Sequence, residues 1–413
     1  MKSREVALLK EPLAPAGGAP LEKDSKVRQI AALVSLASVL QIAESFLPTP
    51  FPGIKLGLAN IMTLIALVNM GERAAMEVAI LRTFVSSFVL GTFLSPSFIL
   101  SFSGALASSL AMCALYKILT GHGRPELSLL SVSLTGAIVH AAAQLGVVYL
   151  LFIKHTAVFL LLPWLGISAI ITGWITGLLA AGICRRLRRL PGDGSPAAHV
   201  EKSLAHGEGA APRDVQAAPS PFYGVSPALK IAGAVVAGIA IILSKSFIVY
   251  AAFFLLFSAI AYRAGIPFRR LSSNIRRLVS FILFSFAVGV VSNGDGTALF
   301  AAGPLKITGG GLAAGSLIAF RLVLLMLNAS LLSETMSREE LSAGLRKCLL
   351  PLRIFGISPA GPAAIVALSV SIVPGLLDEF IQHIKNANLR NKRLADILPA
   401  VSNIVVMMCE PRL

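Results

Sequence analysis

Acidic residues are scarce in this chain. Its 413 residues include 20 Asp and Glu against 36 Lys and Arg, and charged residues of both signs make up only 14%. No two aspartates are adjacent and no DDxxD run occurs, which argues against chemistry that gathers Mg²⁺ on clustered carboxylates. There is no G-x-x-x-x-G-K-[ST] run either, so the chain cannot supply the backbone cradle and lysine of a P-loop ATPase. Any ATP-driven activity must borrow its motor, and no enzymatic site is expected. The four cysteines, Cys113, Cys184, Cys348 and Cys409, stand far apart, so neither a CxxC metal site nor a disulfide framework is indicated. Each reads as a reduced thiol, and no metal or other cofactor is expected. The stretch from Met1 to Asp24 is polar, rich in Pro and Gly, and lacks a short apolar core before a small-residue cleavage site. It is expected to be a disordered cytoplasmic tail (1–24), not a cleavable signal.

Apolar residues are plentiful, at 55% with a mean hydropathy of +0.80, and this composition defines an all-α polytopic membrane protein. The net charge of +16 falls in short clusters between apolar runs, so it reads as orientation charge and not as a footprint for nucleic acid. A spanning helix needs about 20 mostly apolar residues. The first half divides into six such pieces: Val27 to Phe46, Leu56 to Met70, Ala74 to Leu94, Ser97 to Leu119, Leu127 to Phe152 and Thr156 to Ile183. Lys23, Lys26, Arg28, Arg73, Lys117, Arg124 and the run Arg185-Arg186-Leu187-Arg188-Arg189 all fall on one face of these spans, and only Lys55 and Lys154 on the other. By the positive-inside rule both ends of this half (25–190) are cytoplasmic, in the cell membrane.

From Pro191 to Pro227 the composition shifts to Gly, Pro, Ala and Ser with no apolar period, as in a flexible cytoplasmic linker (191–227). The second unit (228–413) opens with a helical hairpin, Ala228 to Leu243 and Ser246 to Tyr262, and a basic stretch, Arg263 to Arg277. Val279 to Ser292 and Gly311 to Leu332 are further spans. Between them, Asn293-Gly294-Asp295-Gly296 and Gly309-Gly310-Gly311 bracket a segment expected to form an external β-hairpin. Beyond Ser333, amphipathic helical pieces are expected to be broken by Pro351, Pro359, Pro362 and Pro374. Ser337 with Glu340 three residues later has the spacing of a capping box. Helices of this kind dock on a partner or lie in membrane lipid at the interface. A last apolar piece runs from Leu394 to Met408, and the two halves share no sequence repeat.

Polar side chains inside spans are the informative ones, since an ionisable group in hydrocarbon costs roughly 2.5–3.5 kcal/mol even on lenient scales. Glu44 lies near the outer end of the first span, Lys55 and Asn60 at the outer mouth of the second, and Arg82 near the middle of the third. His140 and Gln144 are four residues apart and share a helix face, with Gln144 one turn further outward. Together these six are expected to line an outward-opening pocket with a net positive lining, which favours a small anionic solute. The bland alternative is interhelical hydrogen bonding with no ligand. Glu77, four residues from Arg73, is expected to pair with it. Ala31, Ser35 and Ser38 form a small-residue stripe that lets another helix approach closely, within the chain or from a partner.

The stretch Gly53-Ile54-Lys55-Leu56-Gly57-Leu58-Ala59-Asn60, the run Leu90-Gly91-Thr92-Phe93-Leu94-Ser95-Pro96 and the His140/Gln144 pair resemble the membrane family called heptaprenyl diphosphate synthase component I, or Gx transporter. That family is similar to the substrate-binding S components of energy-coupling factor (ECF) transporters, six-helix proteins that bind a vitamin-like solute from outside. The second half resembles the transmembrane T component, the cobalt-transport Q-like family. Its pattern is followed by Thr335, Leu341, Gly344-Leu345, Leu350-Pro351-Leu352, Gly356, Ala367-Leu368, Pro374, Glu379 and Ala387 to Arg390. Arg321 also matches a family arginine and reads as structural.

The resemblance implies a six-helix S-component-like bundle fused to a T-component-like helical domain with cytoplasmic coupling helices (about 335–393). It implies that these engage ECF-type ATP-binding subunits through Glu379, Ala387, Arg390 and Arg412. In the family an Ala-Arg-Gly type tripeptide inserts into an ATPase groove. Here Leu389-Arg390-Asn391 keeps the arginine without its small neighbours, and Pro411-Arg412-Leu413 is the second candidate. Read without the resemblance, Arg390 is only a cation near the end of an amphipathic helix, suited to a partner surface or anionic lipid. The expected function is uptake of a small anionic or vitamin-like solute driven by separate ATPases. The alternatives are a membrane component of heptaprenyl or polyprenyl diphosphate synthesis and a scaffold that no longer engages an ATPase.

Overall fold

A computed structural model describes residues 19–46, 57–120, 125–187, 225–292, 298–302, 305–337, 340, 343, 344, 347 and 360–386. The chain folds as α1 (Ala19–Phe46), α2 (Leu58–Met70), α3 (Glu72–Leu90), α4 (Pro96–Thr120), α5 (Pro125–Val147) and α6 (Leu162–Leu187) in its first half. In the second half come α7 (Pro227–Leu243), α8 (Phe247–Arg263), α9 (Phe268–Ser292), strands β1 (Ala298–Ala302) and β2 (Leu305–Thr308), α10 (Gly309–Thr335) and α11 (Ala360–Asn386). Among the described residues, six helical segments are long and apolar enough to cross a membrane. The protein is an all-α polytopic membrane protein carrying one small antiparallel hairpin, β1 with β2, where turn-forming glycines bracket the segment.

Several element ends differ from the sequence expectation. Helix α1 starts at Ala19, inside the stretch read as a tail, because Leu21-Glu22-Lys23 are good helix formers that follow a proline in the first turn. The basic stretch after α8 is helical from Phe268 onward and continues into the apolar span without a break. Helix α11 runs unbroken through Pro362 and Pro374. Pro362 sits in the first turn, where its missing N–H has no acceptor to lose. Pro374 is held mid-helix by packing, since the neighbouring Val370 and Val373 are buried. The part of α11 from Gly361 to Gln382 is apolar enough to span a membrane, which makes it no interfacial fragment. Leu394 to Met408 lies outside the described residues.

In a bilayer, helices associate through close packing and buried polar contacts, because lipid is as apolar as a leucine side chain. Glycines supply the closest crossings. A Cβ on Gly289 of α9 would lie 2.7 Å from the Cα of Gly315 on α10, and one on Gly315 would lie 2.7 Å from the Phe286 carbonyl oxygen. Gly173 and Gly177 of α6 likewise press on Ser133, Leu134 and Leu130 of α5. The α3–α4 corner closes over a knot of five rings, Phe84, Phe88, Phe93, Phe98 and Phe102, with neighbouring edge-to-face centroids 4.9 to 6.2 Å apart. Gly91, at φ +65°, ends α3 there, and Ser95 Oγ accepts the Phe98 N–H at 3.3 Å to start α4.

The two halves do not keep separate cores. One buried cluster joins α1, α2 and α3 to Ile231 and Ala234 of α7, Leu332 of α10 and Ile365, Val366, Val370 and Val373 of α11. The small-residue stripe of α1 is part of it: Ala31, Ser35 and Ser38 are all fully buried. Ser369 Oγ on α11 donates to the Ala31 carbonyl at 3.1 Å, while Ser38 faces α3, 3.4 Å from the Arg82 carbonyl. A second cluster joins Leu145, Val148, Phe152, Ile153 and Val158 to α7, α8, α9 and α10.

That second joint depends on irregular helix. After α5 the chain makes a π-helical turn, Val148–Ile153, then Lys154 at φ +53°, then a 3-10 helix, Thr156–Leu161. The π turn turns the Phe152 carbonyl toward Arg321 of α10, whose Nη1 donates to it at 2.9 Å. Arg321 Nη2 donates to the Ser244 carbonyl at 3.1 Å and Nε to the Tyr250 hydroxyl at 3.0 Å. The expected capping box is present: Ser337 Oγ accepts the Glu340 N–H and Glu340 Oε2 accepts the Ser337 N–H, both at 3.1 Å. Glu340 also pairs with Lys230 of α7 at 3.6 Å.

Candidate functional site

The site begins with a backbone constraint. Gly57 caps the start of α2 in the left-handed region, φ +71°, and its N–H donates to Oε1 of Glu44 near the end of α1. The carboxylate thereby holds the entry of α2 against α1. One turn into α2, Asn60 Oδ1 accepts from Arg82 Nη2 at 2.6 Å. Gln41, one turn before Glu44, accepts from Arg82 Nη1 at 3.3 Å. Arg82 is only 4% exposed, and two amide side chains from two other helices fix its guanidinium. From the other side, His140 of α5 lies against α4 where a glycine leaves room: a Cβ on Gly104 would be 2.6 Å from the imidazole Cε1. Gln144, one turn on, donates to the Leu100 carbonyl at 3.4 Å.

These groups line one cavity of about 70 Å³ together with Thr83, Ser101, Ser168, Thr172 and Thr176. Five of the six residues singled out from the sequence, Glu44, Asn60, Arg82, His140 and Gln144, are brought together in it. Lys55 lies outside the described residues. Of the lining ionisable side chains, Glu44 and Arg82 carry opposite charges that act on each other across the cavity. The expected net positive lining also counted Lys55, which lies outside the described residues. Gln41 was legible as the polar residue one turn before Glu44, in the apolar outer part of α1. The hydroxyls of α6 gave no such signal, because threonine and serine commonly satisfy themselves on their own helix, as Thr172 does on the Ala169 carbonyl at 3.3 Å.

The cavity sits at the C-terminal ends of α1 and α5 and the N-terminal ends of α2, α4 and α6. This is the end away from Arg28, Arg73, Lys117 and Arg185. Glu77 and Arg73 take no part in it; the Arg73 charge acts on the Glu77 carboxylate, as their four-residue spacing leads one to expect, without a contact as close as a salt bridge. Of the residues assigned to ATPase coupling, Glu379 lies on α11, half-buried and one helix turn before the end of the described side chains. Ala387, Arg390 and Arg412 lie outside the described residues. Cys113 and Cys184 are buried and are not joined in a disulfide.

Fold and cavity together define a polytopic helical membrane protein with a polar pocket near one membrane face. Residues 33–183 match the family model described as heptaprenyl diphosphate synthase component I, and residues 220–401 the one described as cobalt transport protein. Curated relatives are named energy-coupling factor transporter transmembrane protein EcfT. The Listeria innocua protein is 31% identical over 159 residues, 38% of this chain and 60% of that protein. The Bacillus subtilis protein is 28% identical over 114 residues (28% and 43%), and that of Thermosediminibacter oceani 29% over 121 residues (29% and 45%). The chain spans about two-fifths to three-fifths of the length of these relatives. It thus resembles an energy-coupling factor transporter in which an S-component-like part, residues 33–183, precedes a T-component-like part, residues 220–401.

Proposed function

We propose that the protein is a membrane subunit of an ECF-type importer, in which the first half binds a small polar solute from outside and the second half couples that half to separate ATP-binding subunits. The observation that carries this reading is the convergence of Glu44, Asn60, Arg82, His140 and Gln144 from four helices on one cavity. These groups also bond across helices, but they gather at one end of the bundle around a shared space and are not spread along it. The end they gather at is the one with few cations, which by the positive-inside rule faces outward, so both ends of the first half are cytoplasmic. The coupling residues Glu379, Ala387, Arg390 and Arg412 belong to the same proposal. The boundaries 25–190 and 228–413 describe the two working units, with 191–227 as their tether. The chain itself carries out no catalysis in this scheme.

Affinity purification of the tagged protein from its own membrane, followed by mass spectrometry, tests the proposal. Co-purifying ATP-binding subunits support it, and their loss on Arg390→Glu supports the assigned coupling contact. A second reading follows from the description of the family matched by residues 33–183: a membrane component of heptaprenyl diphosphate synthesis. Recovery of prenyltransferase subunits without any ATPase, with magnesium-dependent prenyl transfer in the purified sample, would favour that reading.

A further inference from the structure

The cavity contains a buried cation with no carboxylate in contact with it among the described residues. Arg82 donates to Gln41 and to Asn60, both neutral amides, and forms no ion pair with a carboxylate among the described residues. Its Nε–H, also buried, has no hydrogen-bond partner. A guanidinium offers five N–H donors in a planar fork, and two bonds leave most of that capacity unused. Glu44 acts on it only through space, with one carboxylate oxygen already engaged by Gly57. Buried charge is tolerated when it is paired and hydrogen-bonded, and Arg82 is held ready for such a partner without having one. We infer that the solute carries a single carboxylate, which enters the cavity and completes the ion pair with Arg82. This rests on reading the cavity as the solute site.

Other chemistries fit less well. A cationic solute would meet Arg82 head on, and an uncharged one would leave the guanidinium with no carboxylate in contact. A diphosphate would bring several negative charges to one guanidinium beside the buried Glu44, and so leaves more excess charge out of water than a single carboxylate does. Size points the same way. A water needs ~10–15 Å³ of such space, so the cavity of about 70 Å³ admits a carboxylate with a compact body. His140 and Gln144, across the cavity from α3, are placed to read the rest of the molecule.

The test is thermal unfolding of the full chain in lipid nanodiscs with small probes in matched sets: benzoate, benzamide and phenyl phosphate; nicotinate and nicotinamide; pyruvate and pyruvamide. At least one acid should raise the unfolding midpoint, and its amide should act at least tenfold more weakly. Arg82→Gln should weaken the acid by tenfold or more, with Arg82→Lys in between, because an ammonium keeps the charge and loses the fork. Should Arg82→Gln fail to fold, the acid–amide comparison on the unaltered protein decides. An amide or phosphate acting as strongly as its acid, or no acid acting at all, overturns the inference. Co-purification of ATPase subunits is scored separately. Its presence alongside failed acids sinks only the carboxylate, and its absence alongside a bound acid sinks only the coupling.

Discussion

Arg82 and Arg321 are both arginines buried within the helical bundle, and their surroundings assign them different work. Arg321 spends Nε, Nη1 and Nη2 on three protein oxygens, so nothing in its fork is left over for a ligand. Arg82 spends two donors and keeps Nε–H idle beside a cavity. Arg321→Met should therefore lower stability, on the order of 2–3 kcal/mol for buried hydrogen bonds to a charged group, and leave solute affinity unchanged. Chemical denaturation in detergent and a binding titration check the two halves of that statement. Gly57→Ala should cost about 1–2 kcal/mol, since φ +71° is left-handed backbone that an L side chain resists. Its larger effect should be on binding, because the same residue positions Glu44 and, one turn on, Asn60. A Gly57→Ala protein that binds as tightly as the original would refute this.

At the scale of helices, glycine positions separate crossing points from open surface. Gly315→Ala should destabilise markedly, because a methyl there meets backbone of α9 at 2.7 Å. Gly309→Ala, six residues earlier on α10 with open space around it, should stay within about 0.5 kcal/mol. Equal unfolding midpoints for the two would show that α9 and α10 do not cross there. Gly104→Ala presses on the His140 ring, whose edge can swing away, so weaker binding with near-normal stability is expected. Four of the six first-half spans were legible because hydrocarbon thickness sets their length, whereas α2, at 13 residues, is too short and α3 is not among the helices long and apolar enough to cross; most of the cavity was legible because a polar side chain stands out in an apolar run. The persistence of α11 through Pro374 was not legible, for a local breaker is overruled by burial of Val370 and Val373 against α1. Nor was the Arg321 joint, which requires a π turn that no residue pattern near Val148 announces.

For the whole molecule, the shared cores outweigh the tether as the reason the halves stay together. A protease site placed between residues 200 and 210 and cut after purification should leave both fragments eluting as one species in mild detergent. Separation of the fragments would mean that Ala31–Ser369, Phe152–Arg321 and the apolar clusters around them hold only while the chain is continuous. The Phe152 carbonyl has a further consequence. Among the described residues it is the acceptor that the first half lends to Arg321, and it is available because the backbone is under-wound there by a π turn. A foreign six-helix partner with a regular helix at that position would leave the arginine one bond short inside lipid. The Phe152–Arg321 bond thus ties the second half to the particular backbone of its own first half.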